Sequence, residues 1–157
     1  MPTGAGWRSL AILVDVSSRR VVGRAMADQL RTELTRNALA MARRVRRPGA
    51  GLVQHTDRGS HYTAAASRAA RAARDVLVSL RRAGACLDNA LAESFFATLQ
   101  AALLGTQSWP TRAAARTAVF ASLEVWYNRQ RRHSALNYRA PVAYEEQHLL
   151  LLQDPAA

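Results

Sequence analysis

The sequence predicts a layered α/β domain, because short apolar strands alternate with amphipathic helices after an opening pair of strands. The chain has 157 residues, which suits one domain of ordinary size. Hydrophobic residues make up 49% of the chain and charged residues 21%, so a packed core is expected and full disorder is not. No apolar stretch approaches the roughly 18 residues of a membrane-spanning helix.

Two strands joined by a turn are predicted at the start of the chain. Residues 10–16 are nearly all apolar and rich in β-branched side chains, which is typical of a buried strand. Residues 17–20 are polar and predict a turn. Residues 21–26 resume the apolar pattern, and the two segments together indicate a hairpin.

A helix and a short strand are predicted next. Thr32 is a suitable helix cap, and it precedes an apolar stripe at helical spacing: Leu34, Ala38, Met41 and Val45. The arginines of residues 43–47 suit the C-terminal end of a helix, where cations interact favourably with the helix dipole. Residues 52–55 then predict a short strand, followed by a turn at residues 57–59.

The second half of the chain predicts helices around one further strand. Residues 64–74 are rich in Ala and Arg and should be helical, and residues 76–80 are typical of a strand. A helix capped by Asp88 or Asn89 follows, with an apolar face at steps of four residues: Leu91, Phe95, Leu99 and Leu103. Thr111 is expected to cap a last long helix, and Pro141 to mark a later turn.

The charge balance favours a polyanionic partner. The chain carries 22 basic and 11 acidic residues, for a net charge of +11, and every basic residue is Arg. Nucleic acid is the commonest polyanion, and the guanidinium fork fits phosphate groups. A GC-rich genome accounts for the choice of Arg over Lys, but not for the excess over Asp and Glu. Cys86 is the only cysteine, which excludes an internal disulfide and a thiol metal cluster.

Two acidic residues occupy positions where α/β domains commonly build a site. Asp57 follows a short strand, at the carboxyl edge of the predicted sheet, and Glu93 lies near the start of a predicted helix. Each also has an ordinary structural role, Asp57 in an Asx-turn and Glu93 at a helix N-terminus. Asn89, Glu93 and Gln100 share one helical face, away from the apolar stripe.

Four motifs in order resemble the catalytic cores of bacterial insertion-sequence transposases and retroviral integrases. Thirty-five residues separate Asp57 from Glu93, the spacing of the last two of that family's three metal-binding acids. The matching segments are the opening hairpin, the loop of the second aspartate, the glutamate helix and the C-terminal signature: residues 15–23, 55–62, 84–99 and 126–141. The resemblance covers roughly residues 2–146, and is strongest to the group whose transposase is encoded in two overlapping frames.

The resemblance implies a ribonuclease-H-like, retroviral integrase-like fold, a mixed sheet flanked by helices, with the first strand missing. Residues 1–146 would form the partial catalytic core and residues 147–157 a C-terminal tail. The implied chemistry is DNA transposition, in which two Mg²⁺ or Mn²⁺ ions held by Asp57 and Glu93 support phosphodiester cleavage and strand transfer at element ends. The residues expected at the DNA are Arg58, Asn89, Gln100, Arg131, Arg132 and His133, although a solvated helix end accounts equally well for the last.

The sequence also departs from the family. The strand that carries the first aspartate would precede Pro2, and we therefore expect this chain to be inactive on its own. Asp15 aligns with the end of the second strand, where it should bond the hairpin backbone rather than a metal ion. Gln100 and Ala102 replace a Lys and an acid of the family pattern. A nonenzymatic basic DNA-binding remnant and an unrelated basic α/β domain remain open as alternatives.

The resemblance finally implies partners and a location. DNA is the expected partner, both as transposon ends and as target. Self-association and an upstream-frame helix-turn-helix product are further expected partners, and a membrane is not. The expected location is the bacterial cytoplasm, at the nucleoid.

Overall fold

A computed structural model of the chain describes residues 2–3, 6–7, 9–29, 32–49, 51–56, 76–80, 87–104 and 109–153. In chain order its elements are β1 (Pro2–Thr3), β2 (Gly6–Trp7), β3 (Ser9–Val14), β4 (Val21–Ala27), α1 (Thr32–Arg46), β5 (Leu52–Thr56), β6 (Val76–Leu80), α2 (Leu87–Leu99), α3 (Arg112–Ala121) and α4 (Pro141–Gln153). A π-helical segment extends α2 over Gln100–Leu104, another extends α3 over Ser122–Tyr127, and a 3₁₀ turn spans Ser134–Leu136. The turn predicted at residues 57–59 and the helix predicted at residues 64–74 lie outside the described residues.

The described strands associate in three pairs. β1 and β2 are antiparallel, β3 and β4 are antiparallel, and β5 and β6 are parallel. Both kinds of pairing that a mixed sheet contains are therefore present. A parallel pair needs a long crossover connection, and the chain between β5 and β6 has that length.

The β3–β4 hairpin turns over residues 15–20, which include the turn predicted at residues 17–20. One carboxylate oxygen of Asp15, Oδ1, accepts hydrogen bonds from the backbone N–H groups of Ser17 and Ser18, both at 3.0 Å. Its other oxygen, Oδ2, lies 3.3 Å from Nη2 of Arg46. The prediction that Asp15 bonds the hairpin backbone is confirmed. The carboxylate also explains why β3 ends at Val14 rather than at residue 16, because it holds the following residues in the turn.

Helix α1 packs closely on the hairpin. The predicted helix is confirmed, although Thr32 is its first residue rather than its cap and Val45 of the predicted apolar stripe is exposed. Its buried face, which includes Leu34 and Ala38, packs with Ala11 of β3. Gly23 of β4 lies directly beneath this helix: a Cβ atom there would overlap the carbonyl oxygen of Ala38 and lie 2.8 Å from the Cβ of Ala42. The close approach of helix and strand therefore requires a glycine at this position.

A second core joins the hairpin to the later helices. The buried side chains come from α2, α3 and their π-helical extensions, and they surround Val21 of β4: Phe95, Leu99, Leu103, Ala115, Val119, Leu123 and Tyr127. The predicted apolar face of α2 is thus confirmed for three of its four residues, while Leu91 is half-buried. Trp109 is buried in the same core, which agrees with a packing role.

The ends of three helices test the predicted caps. Thr111 caps α3 as predicted, because its Oγ1 accepts a hydrogen bond of 3.1 Å from the backbone N–H of Ala114. Helix α2 begins at Leu87, so Asp88 and Asn89 lie inside its first turn instead of capping it. The turn predicted at Pro141 is wrong, since this residue begins α4; proline is favoured at the first helical position, where no N–H donor is needed.

Helix α4 extends into the segment predicted to be a tail. Its residues 147–153 are helical and exposed, including four consecutive leucines at residues 149–152. The domain boundary at residue 146 stays a prediction. In the described part of the chain, no helix has both the length and the apolar character needed to cross a membrane.

The substitution Gly23→Ala should destabilise the fold by about 2–3 kcal/mol, because the added methyl group forces α1 away from β4. Urea unfolding followed by circular dichroism measures the change. Gly49→Ala is the matched control, since no atom lies within 4 Å of a Cβ built at Gly49. Equal stabilities of the two variants would contradict the close packing described above.

Candidate functional site

Helix α2 presents Glu93 to solvent. Phe95 and Leu99 turn inward to the core, and Glu93 and Gln100 are both exposed. The predicted separation of a polar face from an apolar face is confirmed for these four residues. Asn89 belongs to the same helix, in its first turn. Glu93 therefore lies on the solvent-facing side of α2, as a site residue of this helix would.

The other predicted acid, Asp57, lies outside the described residues, together with Arg58. Strand β5 ends at Thr56, so Asp57 directly follows the carboxyl end of that strand. Within the described ranges, no group of three or more His, Cys, Asp or Glu side chains gathers as a metal site would require. The pairing of Asp57 with Glu93 therefore stays a prediction.

Arg131 links the C-terminal part of the chain to helix α2. Its Nη2 donates a hydrogen bond of 2.9 Å to Oγ1 of Thr98, which lies five residues after Glu93 on the same helix. The guanidinium carbon is 5.6 Å from the ring centroid of Tyr127 and 6.0 Å from that of Trp126. These contacts use the charge and shape of Arg131 within the protein. Its predicted DNA contact must compete with them, and stays a prediction.

His133 packs in the same cluster. Its ring meets that of Tyr127 edge to face, with centroids 5.1 Å apart, and Nη1 of Arg131 lies 3.2 Å from its Nδ1. Burial, together with the positive charges of Arg131 and Arg19, lowers the pKa of His133 to about 4. The ring is therefore neutral at pH 7. Burial likewise raises the pKa of Tyr127, although Arg131 and Arg19 oppose that shift. Arg132, in contrast, is exposed.

Asn128 connects this cluster to the hairpin. Its Oδ1 accepts a hydrogen bond of 2.9 Å from the N–H of Val21, and its Nδ2 donates one of 3.0 Å to the carbonyl of Val21. The residue is only 1% exposed. The amide thus provides both backbone groups of Val21 with the hydrogen-bond partners that a further strand beside β4 would provide. Sequence analysis placed Asn128 in the C-terminal signature but did not assign it this role.

An ion-pair network holds α4 against α1 and the hairpin turn. Glu145 of α4 accepts from Nη1 of Arg20 at 2.6 Å and from Nη1 of Arg46 at 2.9 Å, and Nη2 of Arg46 pairs with its other oxygen. Burial alone would raise the pKa of Glu145, but hydrogen bonds from Arg46, Ser18 and Arg20 outweigh it and lower that pKa to about 2. Sequence analysis missed this network, since nothing near Glu145 in the chain indicates its partners.

Replacing Asn128 with Ala should lower the free energy of unfolding by about 2–3 kcal/mol, because the buried N–H and carbonyl of Val21 lose their partners. Chemical denaturation provides the measurement. Asn37→Ala, on the exposed face of α1, serves as control and should change stability by no more than about 0.5 kcal/mol. If Asn128→Ala lowered the free energy of unfolding no more than Asn37→Ala does, the two hydrogen bonds would contribute nothing to stability.

The stability of the fold should decrease by about 1 kcal/mol between pH 7 and pH 5, with solvent screening allowed for. The pKa of His133 is about 4 in the folded chain and 6.5 in the unfolded chain, so the unfolded chain binds protons more readily in this range. The stabilisation is complete above pH 6.5 and is lost as the pH falls towards 4. Urea titrations at several pH values test this.

The variant His133→Asn is the control for the pH experiment, and its stability should change less over the same interval. Glu145 does not interfere, since its pKa of about 2, below the ordinary 4.5, removes stability only below about pH 4.5. An identical pH dependence in both proteins would rule out His133 as the source.

Comparison with known proteins assigns the family. Two models described as integrase core domain match residues 1–86 and 74–141. The chain is 40% identical over 146 residues to a protein of insertion element IS600 from Shigella sonnei, and 36% identical over 146 residues to the transposase of insertion sequence IS904 from Lactococcus lactis. Each match covers 93% of this chain, but 54% and 58% of the respective relative. The chain thus spans about half the length of these relatives.

The fold is similar to that of a chain in a solved retroviral intasome. The simian T-cell lymphotropic virus intasome, solved with a regulatory subunit of PP2A, matches with a TM-score of 0.71 and 14% identity, over 92% of this chain and 50% of that one. This likeness confirms the predicted α/β, ribonuclease-H-like fold class. The predicted resemblance to insertion-sequence transposases is confirmed by the relatives and by the domain matches, and this chain belongs to the integrase core domain family.

Proposed function

We propose that this chain acts in DNA transposition, as the part of a transposase that cleaves and joins phosphodiester bonds at the ends of a mobile element. The observation that carries the proposal is the integrase-core match, which spans Asp57 in one segment and Glu93 in the other. The 35 residues between these acids and the exposure of Glu93 on α2 support it.

The two acids would hold Mg²⁺ or Mn²⁺. Carboxylate oxygens are hard ligands, which these cations prefer, and the only thiol of the chain, Cys86, is not part of the proposed site. When bound, a pair of such ions stabilises the entering and the leaving oxygen of an in-line displacement at phosphorus. The exposed position of Glu93 on α2 supports this role.

Neighbouring side chains would bind and orient the DNA. Gln100 and Arg132 are exposed, so their amide and guanidinium groups are available to phosphate oxygens. Arg58 and Asn89 are proposed to contact the same DNA strand, because each lies in one of the motifs that resemble the family. Arg131 and His133 contribute mainly by positioning the site, since Arg131 donates a hydrogen bond to Thr98 of α2.

A nonenzymatic DNA-binding role is the second candidate, and the state of Asp15 favours it. Both carboxylate oxygens of Asp15 are engaged, one by turn amides and the other by Arg46, so this residue is unsuited to replace a third metal ligand. We infer that Asp57 and Glu93 alone support little or no strand transfer. Self-association and an upstream-frame helix-turn-helix product remain predicted partners.

A plasmid nicking assay with Mn²⁺ tests the proposal. Any nicking by the chain on its own should be slow and without strand transfer, and Asp57→Ala and Glu93→Ala should each reduce that nicking at least about tenfold, because each removes a proposed metal ligand. Glu146→Ala, at an exposed position of α4, is the matched control and should have no effect. Mn²⁺ binding measured by calorimetry should weaken in the same two variants.

The outcomes separate the candidates. Nicking that persists in both acid variants would overturn the proposed site. Absence of nicking, with DNA binding that weakens steeply as salt increases, would favour the nonenzymatic role. If the single substitution Asp15→Ala abolished nicking, Asp15 would be identified as a metal ligand after all.

A further inference from the structure

The outward face of α1 carries arginines along its length. Arg36 and Arg44 are exposed on the side opposite the buried residues Leu34 and Ala38. Arg47 follows the helix in the left-handed conformation, with a φ of 45°, and is exposed as well. Two turns of helix separate Arg36 from Arg44, a rise of about 12 Å. These three residues, Arg36, Arg44 and Arg47, are termed the α1 arginine face.

The acids near the end of α1 are already paired with other arginines. Glu145 binds Arg20 and Arg46, and Asp15 binds Arg46. In the described part of the chain, no acid forms an ion pair with any residue of the α1 arginine face. Their positive charge is therefore directed to solvent, and the network around Arg46 fixes the end of the helix that carries it.

The spacing of these charges suits a duplex. B-form DNA carries about one negative charge per 1.7 Å of its axis, so a rise of about 12 Å spans about seven charges. Guanidinium groups bind phosphate oxygens through paired hydrogen bonds. Ala40, one of the exposed residues between Arg36 and Arg44, is small and allows the backbone of the duplex to approach the helix.

The α1 arginine face lies on a different element from the proposed catalytic acids. Helix α1 precedes β5, whereas Asp57 follows Thr56, the last residue of that strand, and Glu93 belongs to α2. Phosphate contacts at α1 therefore require neither of these acids.

We propose that the α1 arginine face is a second DNA-binding surface, which binds the phosphate backbone of duplex DNA without sequence preference. This inference rests on the proposed function, since that function supplies DNA as the partner. It differs from it in requiring neither metal nor cleavage.

Fluorescence anisotropy with a labelled 30-base-pair duplex tests the inference, in EDTA and between about 50 and 300 mM salt. The triple variant Arg36→Gln, Arg44→Gln, Arg47→Gln should show a slope of log K against log salt that is smaller by about 2–3, since each lost phosphate contact removes about 0.9. Its affinity at 100 mM salt should fall about tenfold to a hundredfold.

A control of equal charge distinguishes a local surface from the overall field. Arg116→Gln, Arg129→Gln and Arg139→Gln, combined in one protein, remove three exposed arginines from other elements, none of which pairs with an acid among the described residues. This control should change the slope by less than about 1. Thermal melting must show that both variants remain folded.

Each other outcome would overturn the inference. Equal losses in the two triple variants would indicate bulk charge alone, and an unchanged slope in the α1 variant would remove this face from DNA binding while leaving the proposed function intact. Stronger competition by duplex RNA than by duplex DNA would assign the face to another nucleic acid. No binding of any duplex by the parent chain would remove the proposed function as well.

Discussion

The junction between the hairpin and the C-terminal part of the chain depends on one buried amide. Asn128 satisfies both backbone groups of Val21, and Val21 lies in the core formed by α2, α3 and their extensions. Val21 pairs with Val14 of β3 in the hairpin register, and without the amide its N–H and carbonyl would lose these two hydrogen-bond partners inside the protein, which is costly. The amide therefore allows the edge of a two-stranded hairpin to face helices.

Around this junction the chain builds a platform for helix α2. Tyr127, adjacent to Asn128, packs edge to face against Phe95 with ring centroids 5.0 Å apart, and Arg131 binds Thr98. Both contacts reach the helix that carries Glu93. The C-terminal signature thus contributes to the site by positioning the glutamate helix. In this structure the signature packs against the glutamate helix, and DNA contact is its proposed second role.

Local sequence patterns were sufficient to predict most helices and strands, but not the distant residues that these elements contact. The hairpin, α1, β5, β6 and the apolar face of α2 follow from periodicity within short windows. Helix and strand ends depended on individual side chains, such as the Asp15 carboxylate and the proline at position 141. Val21, the partner of Asn128, lies 107 residues away, and the two arginines that bind Glu145, Arg46 and Arg20, lie 99 and 125 residues away; no local pattern encodes such contacts. For the site, the spacing of two acids identified the family, while Asp57 itself lies outside the described residues.

The long-range bonds of Asn128 and Glu145 have a consequence for biosynthesis. The hairpin and α1 are translated before the residues that complete their edge and neutralise Arg20 and Arg46. Those residues follow the end of α1 by more than 80 positions, at residues 128 and 145. Contacts of such high sequence separation slow folding, because a long loop must close before they form. The nascent hairpin and α1 therefore keep an incomplete edge until residues 128 and 145 have been translated, and an unpaired strand edge of this kind is prone to aggregation.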